Sequence, residues 1–129
     1  MTLHWSDWPE DILWQLRDGC VIPASPLALT AKREFDPARQ RAMMRYYVDA
    51  GAGGVAIGVH TTQFKIREVG LYEPVLRTAA DAIDGWSDKP IIRIAGLVGR
   101  TKQAVSEAET ARGLGYHAGL LSFAAFRRA

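Results

Sequence analysis

The chain has one cysteine, Cys20, in 129 residues, so no internal disulfide can form and a packed core must hold the fold unaided. Cys20 opens an apolar stretch, which predicts a buried, inert thiol and a reducing compartment. No run of ~18 apolar residues occurs, and the start, Met1-Thr-Leu-His-Trp-Ser-Asp-Trp-Pro-Glu10, lacks a basic stretch followed by an apolar one. Both absences predict a cytoplasmic protein with no membrane partner. Charge of one sign is also scarce. The 16 basic and 14 acidic residues leave a net charge of +2, spread along the chain, which argues against a nucleic-acid partner. His4, His60 and His117 are each solitary, without Cys, Asp or Glu at ligand spacing, so no metal site is expected. Low-complexity tracts and internal linkers are missing too, which predicts a single domain over residues 1–129.

What is present is regular. With 48% hydrophobic and 23% charged residues, the chain can bury a core. Asp7 and Glu10 resemble a capping box, with Trp8, Ile12 and Leu16 at helical spacing until Gly19, so residues 1–19 form an N-terminal helix. Trp5, Trp8 and Trp14 read as its anchor. Residues 20–24 make a first strand, ended by Pro23 and Pro26. Asp36-Pro37 starts a helix with Met43, Tyr46, Tyr47 and Ala50 on one face, and Gly51 stops it. A second strand begins at Gly54. Leu71, Val75, Ala79, Ala82 and Ile83 mark the next helix, and residues 91–95 are a third strand left at Gly96. Thr101 can cap a helix whose Ala104, Ala108 and Ala111 face inward, and residues 118–122 are a fourth strand.

This β-α-β-α-β-α-β order over residues 20–122, behind one extra helix, predicts an α/β fold with a parallel sheet and right-handed crossovers. It is either an open doubly wound sheet or the N-terminal half of a (β/α)8 barrel, whose usual length of ~250 residues is about twice this chain. Both architectures bind ligands at the carboxyl ends of their strands. Those ends carry Pro23, Ser25 and Thr30, then His60 to Gln63, then Arg93 and residues 96–101, then Ser122.

Gly51-Ala-Gly-Gly-Val-Ala56 matches a dinucleotide-binding pattern, but it precedes a strand instead of following one and reads as a helix stop and turn. Residues 96–101 do follow a strand and open a helix, where backbone N–H groups favour anions. Their spacing is too short for a phosphate-cradling loop. The strand ending in His60-Thr61-Thr62-Gln63 is the stronger candidate, since hydroxyls and an amide hold a carboxylate without a full counter-charge.

Read in order, Val21-Ile-Pro-Ala-Ser-Pro-Leu-Ala-Leu-Thr30, Phe35-Asp-Pro, Tyr47-Val-Asp-Ala-Gly-Ala-Gly-Gly-Val-Ala-Ile-Gly58, Ile92-Arg-Ile-Ala-Gly96 and Gly113-Leu-Gly-Tyr-His-Ala-Gly-Leu-Leu121 resemble the N-terminal half of the dihydrodipicolinate synthase and N-acetylneuraminate lyase family. The resemblance implies half of a (β/α)8 barrel with four parallel strands and three crossover helices. It also implies class I aldolase or lyase chemistry on a 2-keto acid such as pyruvate, through a Schiff base on a strand-six lysine and without a cofactor. In that family a Gly-Thr-Thr-Gly-Glu-like turn grips the substrate carboxylate. Aligned on Phe64, Thr61 takes the place of the second threonine, His60 replaces the first and Gln63 stands at the glutamate. The resemblance thus makes His60, Thr61, Thr62 and Gln63 the substrate-binding residues. The two replacements imply that the family's hydroxyl proton relay is altered in this chain. Phe123-Ala-Ala-Phe126, without a phenol, stands where the family has Pro-Tyr-Tyr, which implies a divergent branch.

Imine catalysis needs an amine whose pKa is lowered by its surroundings. Lys89 enters strand three at the wrong face, Lys102 lies in the first turn of a helix, and Lys32 and Lys65 lie in solvated loops. None matches the strand-six position. The expectation is a truncated chain without a catalytic residue, and Arg127-Arg128-Ala129 supplies no closing helix. Half a barrel would also bare apolar side chains among Val55, Ile57, Ile92, Ile94 and Leu120. Such a chain should form a homo-oligomer or associate with a separate C-terminal half-barrel. A non-catalytic self-associating module, or an open-sheet anion-binding domain using residues 96–101, are the alternatives.

Overall fold

The computed structural model describes residues 3–126, so the expectation for Arg127-Arg128-Ala129 lies outside the described residues. Three parallel strands, β1 (Gly54–Ile57), β2 (Ile92–Leu97) and β3 (Ala118–Leu121), form one sheet in the order β1-β2-β3. Register pairs Gly54 with Ile92 and Ile94 with Ala118. Helix α1 (Glu10–Asp18) precedes the sheet, α2 (Pro37–Asp49) leads into β1, α3 (Tyr72–Trp86) joins β1 to β2, and α4 (Thr101–Gly113) joins β2 to β3.

The first strand, expected at residues 20–24, is reduced to one parallel bridge, Ala24 to Ala56. Ala56 donates to the Pro23 carbonyl at 2.9 Å, and Ser25 donates to the Ala56 carbonyl at 2.9 Å. The next ladder bond would need an N–H on Pro23, which has none. Four parallel segments therefore lie side by side, but only three meet the regular pattern.

Paired residues of a parallel sheet share a face, so Val55, Ile57 and Ala95 point one way and Ala56, Ile94 and Leu120 the other. The first set forms the core with Met44 of α2, Val75, Leu76, Ala79 and Ile83 of α3, and Ala111 of α4. Of the five residues among which bare side chains were expected, Val55 and Ile57 are thus covered by helices. Ile92 is buried as well. On the inner face, Ile94 is half-buried and Leu120 is 59% exposed.

Helix ends show where local signals misled. The Asp7 carboxylate accepts from the His4 N–H at 2.8 Å and closes a 3-10 turn, Trp5–Asp7, while α1 starts after Pro9 with no side-chain cap. Thr101 is the first residue of α4, and Arg100 occupies the cap position without a side-chain bond. Asp36 does cap α2, accepting from the Arg39 N–H at 3.1 Å. The buried face of α2 is Gln40 and Met44, and Tyr46 points to solvent. A buried glutamine was invisible to a pattern of apolar residues. It is satisfied by accepting from the Ala28 N–H and donating to the Ser25 hydroxyl. Cys20 is exposed, not buried, because it lies before the sheet begins. Trp5 and Trp14 are exposed too, and Trp8 alone of the three packs inward, 6.0 Å from the His117 ring.

Gln15 of α1 donates to the carbonyls of Gly53 and Pro90, which fixes α1 beneath the N-terminal ends of β1 and β2. His117 stands at the same end, where its Nδ1 accepts from the Arg93 N–H at 3.0 Å. Burial, and then the Arg93 cation, push His117 below the ordinary histidine range, with Asp11 opposing. An imidazolium would present a proton where Arg93 already donates. The folded state therefore resists protonation more than the unfolded chain does. Stability from this site is complete above about pH 6.5 and falls as pH drops through the interval down to the folded value. Urea midpoints across that interval should show this slope in the natural chain and lose it in His117→Asn. An unchanged slope would count against the assignment.

Candidate functional site

The site is built on the turn after β1. Gly58, at φ +75°, reverses the chain, and Thr62 fixes the loop that follows. Its hydroxyl accepts from the Gly58 N–H at 3.0 Å and donates to the Ser25 carbonyl at 2.7 Å, fully buried. The turn is thereby tied to the end of the neighbouring 21–25 segment. His60–Thr62 wind as one 3-10 turn, and Gln63 leaves it at φ +80° and ψ 112°. A non-glycine residue held there stores roughly 1–3 kcal/mol of strain.

His60 and Thr61 are exposed at the rim of a cavity of about 530 Å³. Its walls are the inner face of the sheet, with Ile22, Ala24, Ala56, Ile94 and Leu120, and its mouth includes Phe64 and Ser122. The imidazole of His60 packs edge-on to Phe64 with ring centroids 5.5 Å apart. The Thr61 hydroxyl has no hydrogen-bond partner among the described residues. Of the four residues expected to bind, the structure therefore brings His60 and Thr61 to the cavity. Thr62 spends its hydroxyl on the backbone, and Gln63 lies outside the lining.

A buried ion pair behind the turn was missed in the sequence. Arg67 Nε lies 3.0 Å from both carboxylate oxygens of Glu107, and each side chain is 9% exposed. Arg67 also donates to the Gly58 carbonyl at 2.9 Å and the Gly96 carbonyl at 3.0 Å. Glu107 accepts further bonds from the Val98 N–H and from Gln103. The guanidinium stacks 4.6 Å from the Tyr72 ring centroid. The Tyr72 hydroxyl donates to the Gly96 carbonyl at 2.7 Å. Burial, and then the Glu107 charge, push Tyr72 above the ordinary tyrosine range, against the pull of Arg67. Its proton therefore stays in place. One guanidinium thus joins the carboxyl ends of β1 and β2 to the middle of α4 and locks the loop that presents His60 and Thr61. The available signal was Glu107 itself, a charge on the inward helical face between Ala104 and Ala111.

Gly96 belongs to this clamp. It is not the exit of β2, as expected, but lies inside it. A Cβ there would sit 2.1 Å from the Gly58 carbonyl oxygen, so only glycine admits the approach of the two backbones. Gly99 at φ +96° makes the actual turn into α4. All four lysines, Lys32, Lys65, Lys89 and Lys102, are exposed, and none lines the cavity. Among the described residues no group of three His, Cys, Asp or Glu side chains could hold a metal, and no helix is long and apolar enough to cross a membrane.

Strands, crossover helices and a ligand-sized hollow at the carboxyl ends define a segment of a (β/α) barrel. Known structures carry the same arrangement. Dihydrodipicolinate synthase from Aquifex aeolicus matches with a TM-score of 0.69 at 22% identity, over 79% of this chain and 33% of that one. N-acetylneuraminate lyase from Mycoplasma synoviae matches with a TM-score of 0.69 at 19% identity, over 79% of this chain and 34% of that one. YagE, a prophage protein of the dihydrodipicolinic acid synthase family from E. coli K12, solved in complex with pyruvate, matches with a TM-score of 0.69 at 18% identity, over 78% and 33%. The chain spans about a third of the length of these structures, in their N-terminal half, and has the fold of that part. At these identities the likeness is one of fold. No family model matches the sequence, and no curated protein does.

Proposed function

We infer that this chain supplies the carboxylate-binding portion of a keto-acid site, in a barrel of aldolase or lyase type that acts on pyruvate or another 2-keto acid. One observation carries the reading: an unpartnered Thr61 hydroxyl and the His60 imidazole edge a cavity whose floor is apolar. A carboxylate at the rim would take hydrogen bonds from these two groups, and the carbon chain would lie over Ala56 and Ile94. The pyruvate held by YagE supports the substrate class. Arg67 and Thr62 act as positioning residues that keep the loop in place.

Schiff-base chemistry would proceed by attack of an unprotonated amine on the keto carbon, with loss of water to the imine. An amine becomes nucleophilic near neutral pH when an apolar pocket or a cation disfavours its charge. The four exposed lysines have no such pocket. The chain alone is therefore expected to bind the keto acid and not to form the imine.

Titration with pyruvate, followed by amide NMR, should shift His60, Thr61 and Ala56. Thr61→Val should weaken binding by roughly fivefold to tenfold, the worth of about one hydrogen bond. Shifts confined to another surface, or an affinity indifferent to Thr61→Val, would overturn the site. Borohydride treatment in the presence of pyruvate should leave the mass unchanged, and a reduced adduct on any of the four lysines would overturn the non-covalent part.

A further inference from the structure

Among the described residues the sheet has two unpartnered edges, and their hydrogen-bonding groups are complementary. β3 pairs only with β2 among the described residues. The Ser122 N–H bonds the Leu97 carbonyl, so by the alternation of a strand Gly119 and Leu121 direct their N–H and C=O groups away from the sheet. At the other edge, Pro23 and Ser25 turn toward Ala56, so Ile22 and Ala24 turn outward. Neither has a backbone hydrogen bond among the described residues. Both edges also border the same apolar hollow, which Ile22, Ala24, Leu120, Leu121 and Ser122 line together. Leu120 is 59% exposed and Phe123 is 75% exposed beside it.

We propose that two copies of this chain close one barrel about a twofold axis, with β3 of each laid parallel to residues 21–25 of the other. Three strands and the bridged segment make four, and two copies supply the eight of a closed (β/α) barrel. With Leu121 set opposite Pro23 of the second copy, the Ala24 N–H meets the Leu121 carbonyl and the Ile22 N–H meets the Gly119 carbonyl. Pro23 is tolerated because the side of its missing N–H faces its own β1. Leu120 then packs against Ile22 of the second copy inside the lumen. Residues along both edges are uncharged, as a closed apolar lumen requires. The closed pair would carry two copies of the His60 and Thr61 rim at one end. This association rests on the barrel fold and not on the keto-acid reading.

Light scattering of the purified chain without pyruvate, over a wide concentration range, should give the mass of two copies and a reversible shift to one on dilution. Ala24→Pro removes one outward N–H and leaves the bonds of Pro23 and Ser25 to Ala56 intact. Because the twofold axis removes this bond from both seams, it should raise the dimer dissociation constant about 25-fold to 100-fold. Leu120→Asp, at a position exposed in the single chain, places a charge in the closed lumen and should leave only monomers of unchanged circular dichroism. A monomer at every concentration would overturn the proposal. Assemblies larger than two, or a dimer indifferent to both substitutions, would overturn it as well. Because pyruvate is absent, failure here leaves the binding test above unaffected.

Discussion

Glu107→Ala is expected to remove about 3–5 kcal/mol of unfolding free energy, because it leaves the Arg67 guanidinium buried without its counter-charge. Attraction between two buried charges is large, but so is the cost of taking both out of water, and the loss on breaking the pair is dominated by the charge left behind. Arg67→Met should cost at least as much. It strands the Glu107 carboxylate and frees the Gly58 carbonyl, whereas Gly96 keeps the Tyr72 hydroxyl. The double variant Arg67→Met with Glu107→Ala should therefore lose less than the sum of the two single losses, since neither charge remains. Denaturant titration of all four proteins checks this. Additive losses, or single losses near the ~0–1 kcal/mol of a surface pair, would show that solvent reaches the pair.

Gly96→Ala is expected to be of similar severity for a different reason. The added Cβ would meet the Gly58 carbonyl at 2.1 Å, its carbon at 2.5 Å and the Val59 nitrogen at 2.7 Å, all backbone atoms that no rotamer change can move aside. β1 and β2 must separate at their carboxyl ends. That separation stretches both bonds from Arg67 and disturbs the loop carrying His60 and Thr61, for a loss of about 4 kcal/mol or failure to fold. Gly85→Ala, within α3 and with no atom near the new Cβ, should instead gain about 0.5–1 kcal/mol. Thermal midpoints that move in opposite directions for these two substitutions would confirm that contact, and not glycine content, decides the effect.

Elements with strong local signals were legible in the chain. The α3 face from Val75 to Ile83 and the Asp36-Pro37 start of α2 stand where periodicity and capping placed them. β3 and the carboxyl-end position of His60 and Thr61 likewise followed from the order of strands and helices. The errors share a cause. Asp7, Thr101 and Gly96 were each assigned to the nearest helix or turn, but each answers to a geometry outside its own few residues. Gln40 and Glu107 sit on inward faces because partners distant in sequence satisfy them, Ala28 and Ser25 for one and Arg67 for the other.

The order and type of the elements, the parallel sense of the sheet and the polar loop after β1 all follow from spacing along the chain, since hydrophobic period and turn residues act over a few positions. Which polar groups remain free at the cavity does not. Thr61 and Thr62 are neighbours of one kind, and packing against Ser25 draws one hydroxyl into the backbone and leaves the other at the rim. Arg67 and Glu107, 40 residues apart, become a pair only once α4 lies behind the turn. Contacts of that range depend on how whole elements pack, so tertiary structure alone selects the residues that face a ligand.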